Sequence, residues 1–304
     1  MKVLITGGAG FIGSHLADYL VGRNDDVTII DNLTTGRIEN VPEKAKLGKH
    51  SITDGKSIVQ IFNEVKPDVV VHAAASYKDP DDWYNDILTN SLGTSNVIAG
   101  CKSSGCKRII YFQTSLCYGH PQTSPITLNH PIAPTNSYAI SKTAAEQYIA
   151  LSGLDFVSFR LANCFGPRNL SGPIPTFYQR LSNDQNCFVV NTRRDFVFVN
   201  DLVNIVVKAI DGVGSKYYHI STGKDFSISE LYTHVTEAMN IKDRKVEERE
   251  RGKDDVATIL LEPHRTTKDF ELLPNTPLEE GIQKAVDWYK TNEIKETYTH
   301  LRLK

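Results

Sequence analysis

The chain is short of several features that would have narrowed its class at once. Of its 304 residues only five are cysteine (Cys101, Cys106, Cys117, Cys164 and Cys187), an odd number with no C-x-x-C. That pattern offers neither a disulfide framework nor a thiolate metal site, and it points to a reducing, cytoplasmic compartment. An excess of one charge is missing too: 34 Lys and Arg stand against 36 Asp and Glu, a net charge of −2. With no global basic field to draw nucleic acid or an anionic membrane, an anionic ligand must be met locally by arginines and backbone N–H groups. No apolar run approaches membrane-spanning length, and the opening MKVLITGGAG breaks into glycine too soon for a signal-peptide core. Internal repeats and low-complexity tracts are also absent. The densest charge run, RKVEERERGKDD at 244–255, reads as a solvated strand and turn.

What is present is an alternation of short β-branched runs with helix-period segments. KVLIT, DVTIID, DVVVHAA, KRIIYFQ and DFVSFRL read as strands. FIGSHLADYLVGR, DGKSIVQIFNEV, a long stretch from Asp82 to Ser104 and the segment around Tyr138 read as helices. Continuous apolar strands between helices imply a parallel sheet covered on both faces, an α/β doubly wound fold of the Rossmann type. After Arg160 the character changes. NCFGPRNLSGPIP is loop-like and opens a less regular half with short strands (CFVV, DFVFV, YYHIS) and helices near 202–210, 228–239 and 278–291. The expected organisation is a dinucleotide-binding domain over 1–165, with 190–212 returning to it. A smaller C-terminal α/β domain would comprise 166–189 and 213–304.

VLITGGAGFIGSHL sets Gly7, Gly10 and Gly13 between a strand and an amphipathic helix. Gly7 permits a tight turn, Gly10 lets backbone approach a pyrophosphate, and Gly13 lets the helix sit close on the sheet. The phosphates then face a helix N-terminus, where unpaired N–H groups and the dipole favour anions. Glycine turns are common, but the strand before and the helix after supply the context that a dinucleotide site needs. Asp31, ending the second strand in VTIIDNL, can accept hydrogen bonds from both ribose hydroxyls and repels a 2′-phosphate, which favours NAD over NADP. Nearby Arg37 pulls slightly the other way, and a plain turn cap is the competing role for Asp31.

TNSYAISKTAAEQY places Tyr138 and Lys142 four residues apart on a helix, hence as neighbours. From spacing alone this is either surface decoration or a phenol whose proton affinity is tuned by its partner.

Several motifs, in order along nearly the whole chain, decide between these. TGGAGFIGSHL, DNLTTGR, VVHAAA, TNSLGTSNV, FQTSLCYG, SYAISK, RLANCFGPR, RRDFVFVNDL and GKDDV resemble the extended short-chain dehydrogenase/reductases, specifically the NAD-dependent sugar-nucleotide epimerase/dehydratases. The nearest likeness is to members that serve bacterial surface-polysaccharide synthesis. The resemblance implies that Tyr138 is the base, that Lys142 stabilises it and orients the nicotinamide ribose, and that Thr114 shares the proton, with Ser115 as the competing hydroxyl. Holding a phenol of pKa about 10 ionised near neutrality takes about 4 kcal/mol, for which Lys142 and the positive nicotinamide ring are the sources. It also implies that Phe11, Ile12, Asn32, Ala73 and Ala74 line the cofactor beside the three glycines and Asp31.

On the substrate side the resemblance implies Asn163 and Arg194 at the diphosphate, a planar guanidinium suiting phosphate geometry. Asp255 matches an acid at the nucleotide ribose, and Arg251 is the candidate for its partner arginine. Lys78 could reach cofactor or sugar, including a sugar carboxylate, and Arg194 could instead pair with Asp195. Two departures narrow the chemistry. Where 4,6-dehydratases and decarboxylases of this family carry acids after the Thr, this chain has Ser115 and Leu116; where 3,5-epimerases carry Cys, it again has Leu116, with Cys117 one residue late. What remains is oxidation and re-reduction of one carbon: 4-epimerisation of a nucleotide sugar, most simply a UDP-sugar, by a homodimer. A net 4-ketoreductase or dehydrogenase, or a non-catalytic NAD-sensing module, are the alternatives.

Overall fold

The structure is a computed structural model that describes residues 1–251, 256–294 and 296–298. In chain order the first half runs β1 (Lys2–Thr6), α1 (Phe11–Gly22), β2 (Asp26–Ile30), β3 (Lys46–Gly48), α2 (Gly55–Val65), β4 (Val69–His72), α3 (Trp83–Asn85), α4 (Thr94–Ser104), β5 (Arg108–Thr114), α5 (Ser137–Leu151) and β6 (Asp155–Leu161). The second runs β7 (Asn163–Phe165), α6 (Pro173–Ser182), β8 (Phe188–Val190), β9 (Arg193–Arg194), β10 (Phe196–Phe198), α7 (Val199–Ile210), β11 (Lys216–Ile220), β12 (Phe226–Ser227), α8 (Ile228–Ala238), β13 (Glu247–Arg249), β14 (Thr258–Ile259), α9 (His264–Phe270) and α10 (Leu278–Thr291).

Seven strands form one sheet in the order β11-β6-β5-β4-β1-β2-β3, every neighbouring pair parallel. Because side chains alternate across a strand, each central strand feeds two cores. Val3, Ile5, Val71, Ile110 and Phe159 pack with Leu16 and Leu20 of α1 and Leu202 and Val206 of α7. Leu4, Val70, Ile109 and Tyr111 face the other way, onto Phe62 of α2, Val97 of α4 and Ile149 of α5. The direction of winding reverses between β1 and β4, and the crevice beyond their carboxyl ends is where such sheets bind ligands. A separate core, including Phe177, Leu231, Val235, Ile282 and Tyr289, holds α6, α8 and α10 together.

Two expectations change. YYHIS, assigned from sequence to the smaller domain that resumes at 213, is β11 and forms the edge of the large sheet against β6. The residues alone could not reveal this, because an edge strand reads like any short strand. The helix expected from Asp82 to Ser104 is three pieces: α3, a π-helix over Asp86–Gly93, and α4. π-Helical turns are rare and concentrate at functional sites.

Candidate active site

The glycine loop follows β1. Gly7 has φ +72°, its N–H donates to Ile30 O at 2.8 Å, and a Cβ there would come within 2.6 Å of Ala74 N. A Cβ on Gly13 would stand 2.3 Å from Gly7 O, so α1 can sit this close only without a side chain. Gly10 is the N-cap of α1 and makes no side-chain cap bond, leaving the first turn at Phe11 and Ile12 open to an anion. Asp31, just past β2, is 7% exposed. Its carboxylate accepts from Ala9 N at 3.0 Å and Leu33 N at 2.8 Å, which opposes the upward push of burial on its pKa. Asn32 is exposed beside it, its Oδ1 accepting from Thr34 N. Ala73 and Ala74 follow β4 on the other side of the crevice, held by N–H bonds to Thr6 O and Thr6 Oγ1. A cradle too tight for side chains, an open helix N-terminus and a fixed carboxylate fit an NAD-type dinucleotide.

Behind the crevice lies a buried scaffold that sequence reading missed. His72 meets Thr6 Oγ1 at 2.6 Å through Nδ1 and Thr94 Oγ1 at 2.8 Å through Nε2. Thr94 donates its own proton to Asn90 O, so Nε2 carries the hydrogen and Nδ1 accepts. Burial, then the nearby Lys142, lowers the imidazole pKa to about 3, keeping it neutral. Asn90, on the π-helix, receives Ser76 N and donates to Ser76 O and Ser141 Oγ, all within 3.0 Å. It thereby ties the segment after β4 to α5. The signal in the sequence was an asparagine at the heart of an otherwise ordinary amphipathic stretch, which spacing alone does not distinguish from a surface residue.

α5 carries Tyr138 and Lys142. Asn136 caps it, its Oδ1 accepting from Ala139 N at 2.8 Å, which starts the helix just ahead of Tyr138. Lys142 is 3% exposed, with Nζ over the Tyr111 ring. Burial lowers its pKa to about 7, against an upward pull from Glu146. Tyr138 is partly buried; burial, then Tyr77 and Asp86, raises its phenol pKa rather than lowering it. Lys142 is not among the groups that set this shift, so the expected stabilisation of a phenolate by Lys142 is not seen among the protein's own groups. Burial thus favours the neutral form of both the phenol and the ammonium.

Thr114 ends β5, and its Oγ1 accepts from Leu116 N at 3.2 Å, capping a single 3-10 turn over Ser115–Tyr118 that packs on α5. Ser115 and Cys117 are buried, and Leu116 packs against the core. Burial pushes the Cys117 thiol up to about 12, leaving it inert. α5 is fixed from behind by Glu146, which pairs with Arg160 at 2.9 Å and accepts from Ser158. Arg160 in turn donates to Tyr118 OH, whose proton goes to His219 Nε2 at 2.6 Å.

A cleft of about 450 Å³ opens between the loop after Tyr118 and the second half, lined by His120, Thr123, Ser124, Arg251 and Thr258 among others. Its size suits a small-molecule ligand. His120 and the loop after it carried no motif and were missed. Arg194, on β9, donates to Arg193 O and to the carbonyl of Ala257, a residue that lines the same cleft. The Asp195 carboxylate accepts from Ser221, Thr222 N and Thr222 Oγ1. Asn163 is exposed on β7, with Nδ2 donating to Asp195 O. Lys78 is exposed and pairs with Glu296 at 3.0 Å, next to Tyr298. Asp255 lies outside the described residues.

The NAD dependent epimerase/dehydratase family model matches residues 3–223. The chain belongs to that family. Its sheet and glycine cradle are therefore those of an NAD-dependent epimerase/dehydratase, with NAD as the cofactor. Among solved structures it is similar to the Bordetella bronchiseptica enzyme WbmH in complex with NAD+, at 51% identity and a TM-score of 0.94 over 97% of this chain and all (100%) of that one. It is also similar to WbmG of the same organism in complex with NAD and UDP, at 38% identity and a TM-score of 0.91, over 99% of this chain and 97% of that one. Among curated relatives, a UDP-glucose 4-epimerase of Mycolicibacterium smegmatis is 29% identical over 95% of this chain and 99% of its own.

Proposed function

We propose that this family member is a nucleotide-sugar 4-epimerase acting on a UDP-sugar through a transient 4-keto sugar. The observation that carries the reading is the make-up of the turn after β5. Thr114 brings a hydroxyl, Tyr138 lies on the helix packed against the turn, and Ser115, Leu116 and the inert Cys117 supply no group able to remove a carbon-bound proton. Bound NAD supplies reversible hydride acceptance at one sugar carbon. Tyr138 takes the proton of the C4 hydroxyl, with Thr114 sharing it, and gives it back when the carbonyl is reduced. Lys142 holds the phenolate and the nicotinamide ribose. Arg194 and Asn163 hold the diphosphate while the sugar turns to present its other face, and Arg251 closes the nucleotide end of the cleft. The cycle has no net redox change, so the dinucleotide stays in place.

Relatives bearing the names of UDP-sugar 4-epimerases and a similar structure containing UDP support the choice of nucleotide. Among the described residues no helix is long and apolar enough to cross a membrane, and the five thiols are free. A cytoplasmic role in supplying surface-polysaccharide precursors agrees with both. Trp83, Tyr84, Ile87, Ile140, Tyr148 and Leu151 are exposed on helices that pack together, and such an apolar face supports a homodimer joined through α5 and the helix beside it.

The test is an NMR panel of UDP-, dTDP- and GDP-sugars with absorbance followed at 340 nm. Interconversion of a UDP-sugar with its C4 epimer and no absorbance change is the expected result. Stoichiometric NADH formation or consumption would show a dehydrogenase or ketoreductase instead, and no turnover of any sugar would leave only a sensing role.

A further inference from the structure

The segment after α10 returns toward the glycine loop. On the substrate half it is secured by backbone: Tyr298 N donates to Leu170 O at 2.8 Å, and Gly172 N donates to Tyr298 O at 2.9 Å. Thr297 adds a bond to Gln179 Oε1 at 2.8 Å. Toward the dinucleotide half its contacts are of another kind. Glu296 pairs with Lys78 at 3.0 Å, both side chains largely in solvent. Lys78 Nζ also lies 4.6 Å from the centroid of the Tyr298 ring, and Arg37 donates to Glu293 O across 3.4 Å. Tyr298 thereby comes to line one narrow cleft with Gly10, Phe11, Arg37, Tyr77 and Arg168. Gly10 and Phe11 are the start of α1, where a pyrophosphate belongs, and two cations line the same cleft, Arg37 and an Arg168 paired with Asp18 at 2.7 Å.

We propose that Glu293, Ile294 and Glu296 to Tyr298 form a strap that completes the dinucleotide site. The strap is hinged on the substrate half by its backbone bonds and latched on the other half by Lys78. The Tyr298 ring, on a backbone held by those bonds, covers the first turn of α1, and a bound pyrophosphate dinucleotide leaves only when Lys78 lets go and the ring swings aside. An exposed ion pair and a cation–π contact are weak enough to open on the time scale of cofactor exchange, whereas paired backbone groups are not. Lys78, whose ring and carboxylate partners both come from the strap, acts here as a latch rather than as a sugar contact. The inference rests on NAD being the cofactor.

The experiment follows exchange of bound NAD against isotopically labelled NAD, read by mass spectrometry on the NAD-loaded enzyme. Glu296→Lys sets two ammonium groups against each other at a solvent-exposed position and leaves the core untouched. It is expected to speed exchange about three-fold, the size an exposed pair allows. The charge-swapped double variant Lys78→Glu/Glu296→Lys is expected to return exchange toward the wild-type rate, which a merely structural role for either residue would not do. A chain stopped after Asn292 is expected to exchange at least ten-fold faster (on the order of the loss of several contacts at once). Wild-type exchange rates in Glu296→Lys, or a swap that fails to rescue, would overturn the strap. Failure of the cofactor reading looks different: a wild-type protein with no measurable affinity for NAD removes both, whereas one that binds NAD and exchanges it as fast as the variants removes the strap alone.

Discussion

Lys142 Nζ lies 4.1 Å from the centroid of the Tyr111 ring, while the Tyr111 hydroxyl donates to the Lys142 carbonyl oxygen at 3.1 Å. One tyrosine of β5 thus fixes both ends of the lysine that accompanies the proposed base. The ring face offers a weak attraction to a cation, yet the ammonium is buried deeply enough that its pKa falls to about 7.

That depression has a signed consequence for stability. The unfolded chain holds the Lys142 proton up to about pH 10.4, while the folded protein releases it above about 7. Between these values the unfolded state binds more protons, so this lysine makes the nucleotide-free protein more stable as pH rises from 7 toward 9. Lys142→Met is expected to remove that rise, by about 1.4 kcal/mol per pH unit at most. Urea unfolding of both proteins between pH 7 and 9 checks it; parallel pH dependences would mean the ammonium is solvated after all.

Asp86, first residue of the π-helix, is 1% exposed. Neither of its carboxylate oxygens has a hydrogen-bond partner among the described residues, although Ser76 and Ser137 flank it. Its charge is one of the groups raising the Tyr138 phenol. Removing a negative charge near a phenol makes the phenolate easier to form. Asp86→Asn should therefore move the acid limb of kcat/KM to lower pH, by about half a unit to one unit. An unmoved limb would show that the charge at Asp86 does not act on the phenol.

The Glu146–Arg160 pair is expected to matter to folding more than to chemistry. Both side chains are nearly buried, and they join α5 to β6 and, through Tyr118 and His219, to β11. Glu146→Ala strands the guanidinium without its counter-ion, which typically costs about 3–5 kcal/mol. Denaturant unfolding measures this directly; a loss below about 1 kcal/mol would mean that water or Tyr118 compensates.

The parallel sheet and the cofactor loop were legible because each rests on a local rule. Apolar strands alternating with helices leave few arrangements, and Gly7 and Gly13 occupy places where any side chain would collide with backbone. The scaffold behind them was not legible. Asn90, His72 and Tyr111 look like ordinary helix and strand residues until non-local packing brings Thr6, Ser76, Ser141 and Lys142 against them. The same holds for β11, whose place at the sheet edge depends on its partner β6, and for the π-helix, which no local residue pattern separates from an α-helix. The partners of Lys78, Glu296 and Tyr298, come from a segment more than two hundred residues away, which local sequence does not reveal.

Re-reduction of a single carbon separates this mechanism from one that strips a carbon-bound proton, and the fate of the C4 hydrogen distinguishes them. The decisive measurement is proton NMR of a UDP-sugar undergoing epimerisation in deuterium oxide. The expected spectrum shows both epimers with a full-intensity C4 proton and no solvent deuterium at that carbon. Deuterium appearing at C4 as the epimer forms would contradict the one-carbon oxidation and return on which Tyr138, Lys142 and Thr114 were assigned their parts.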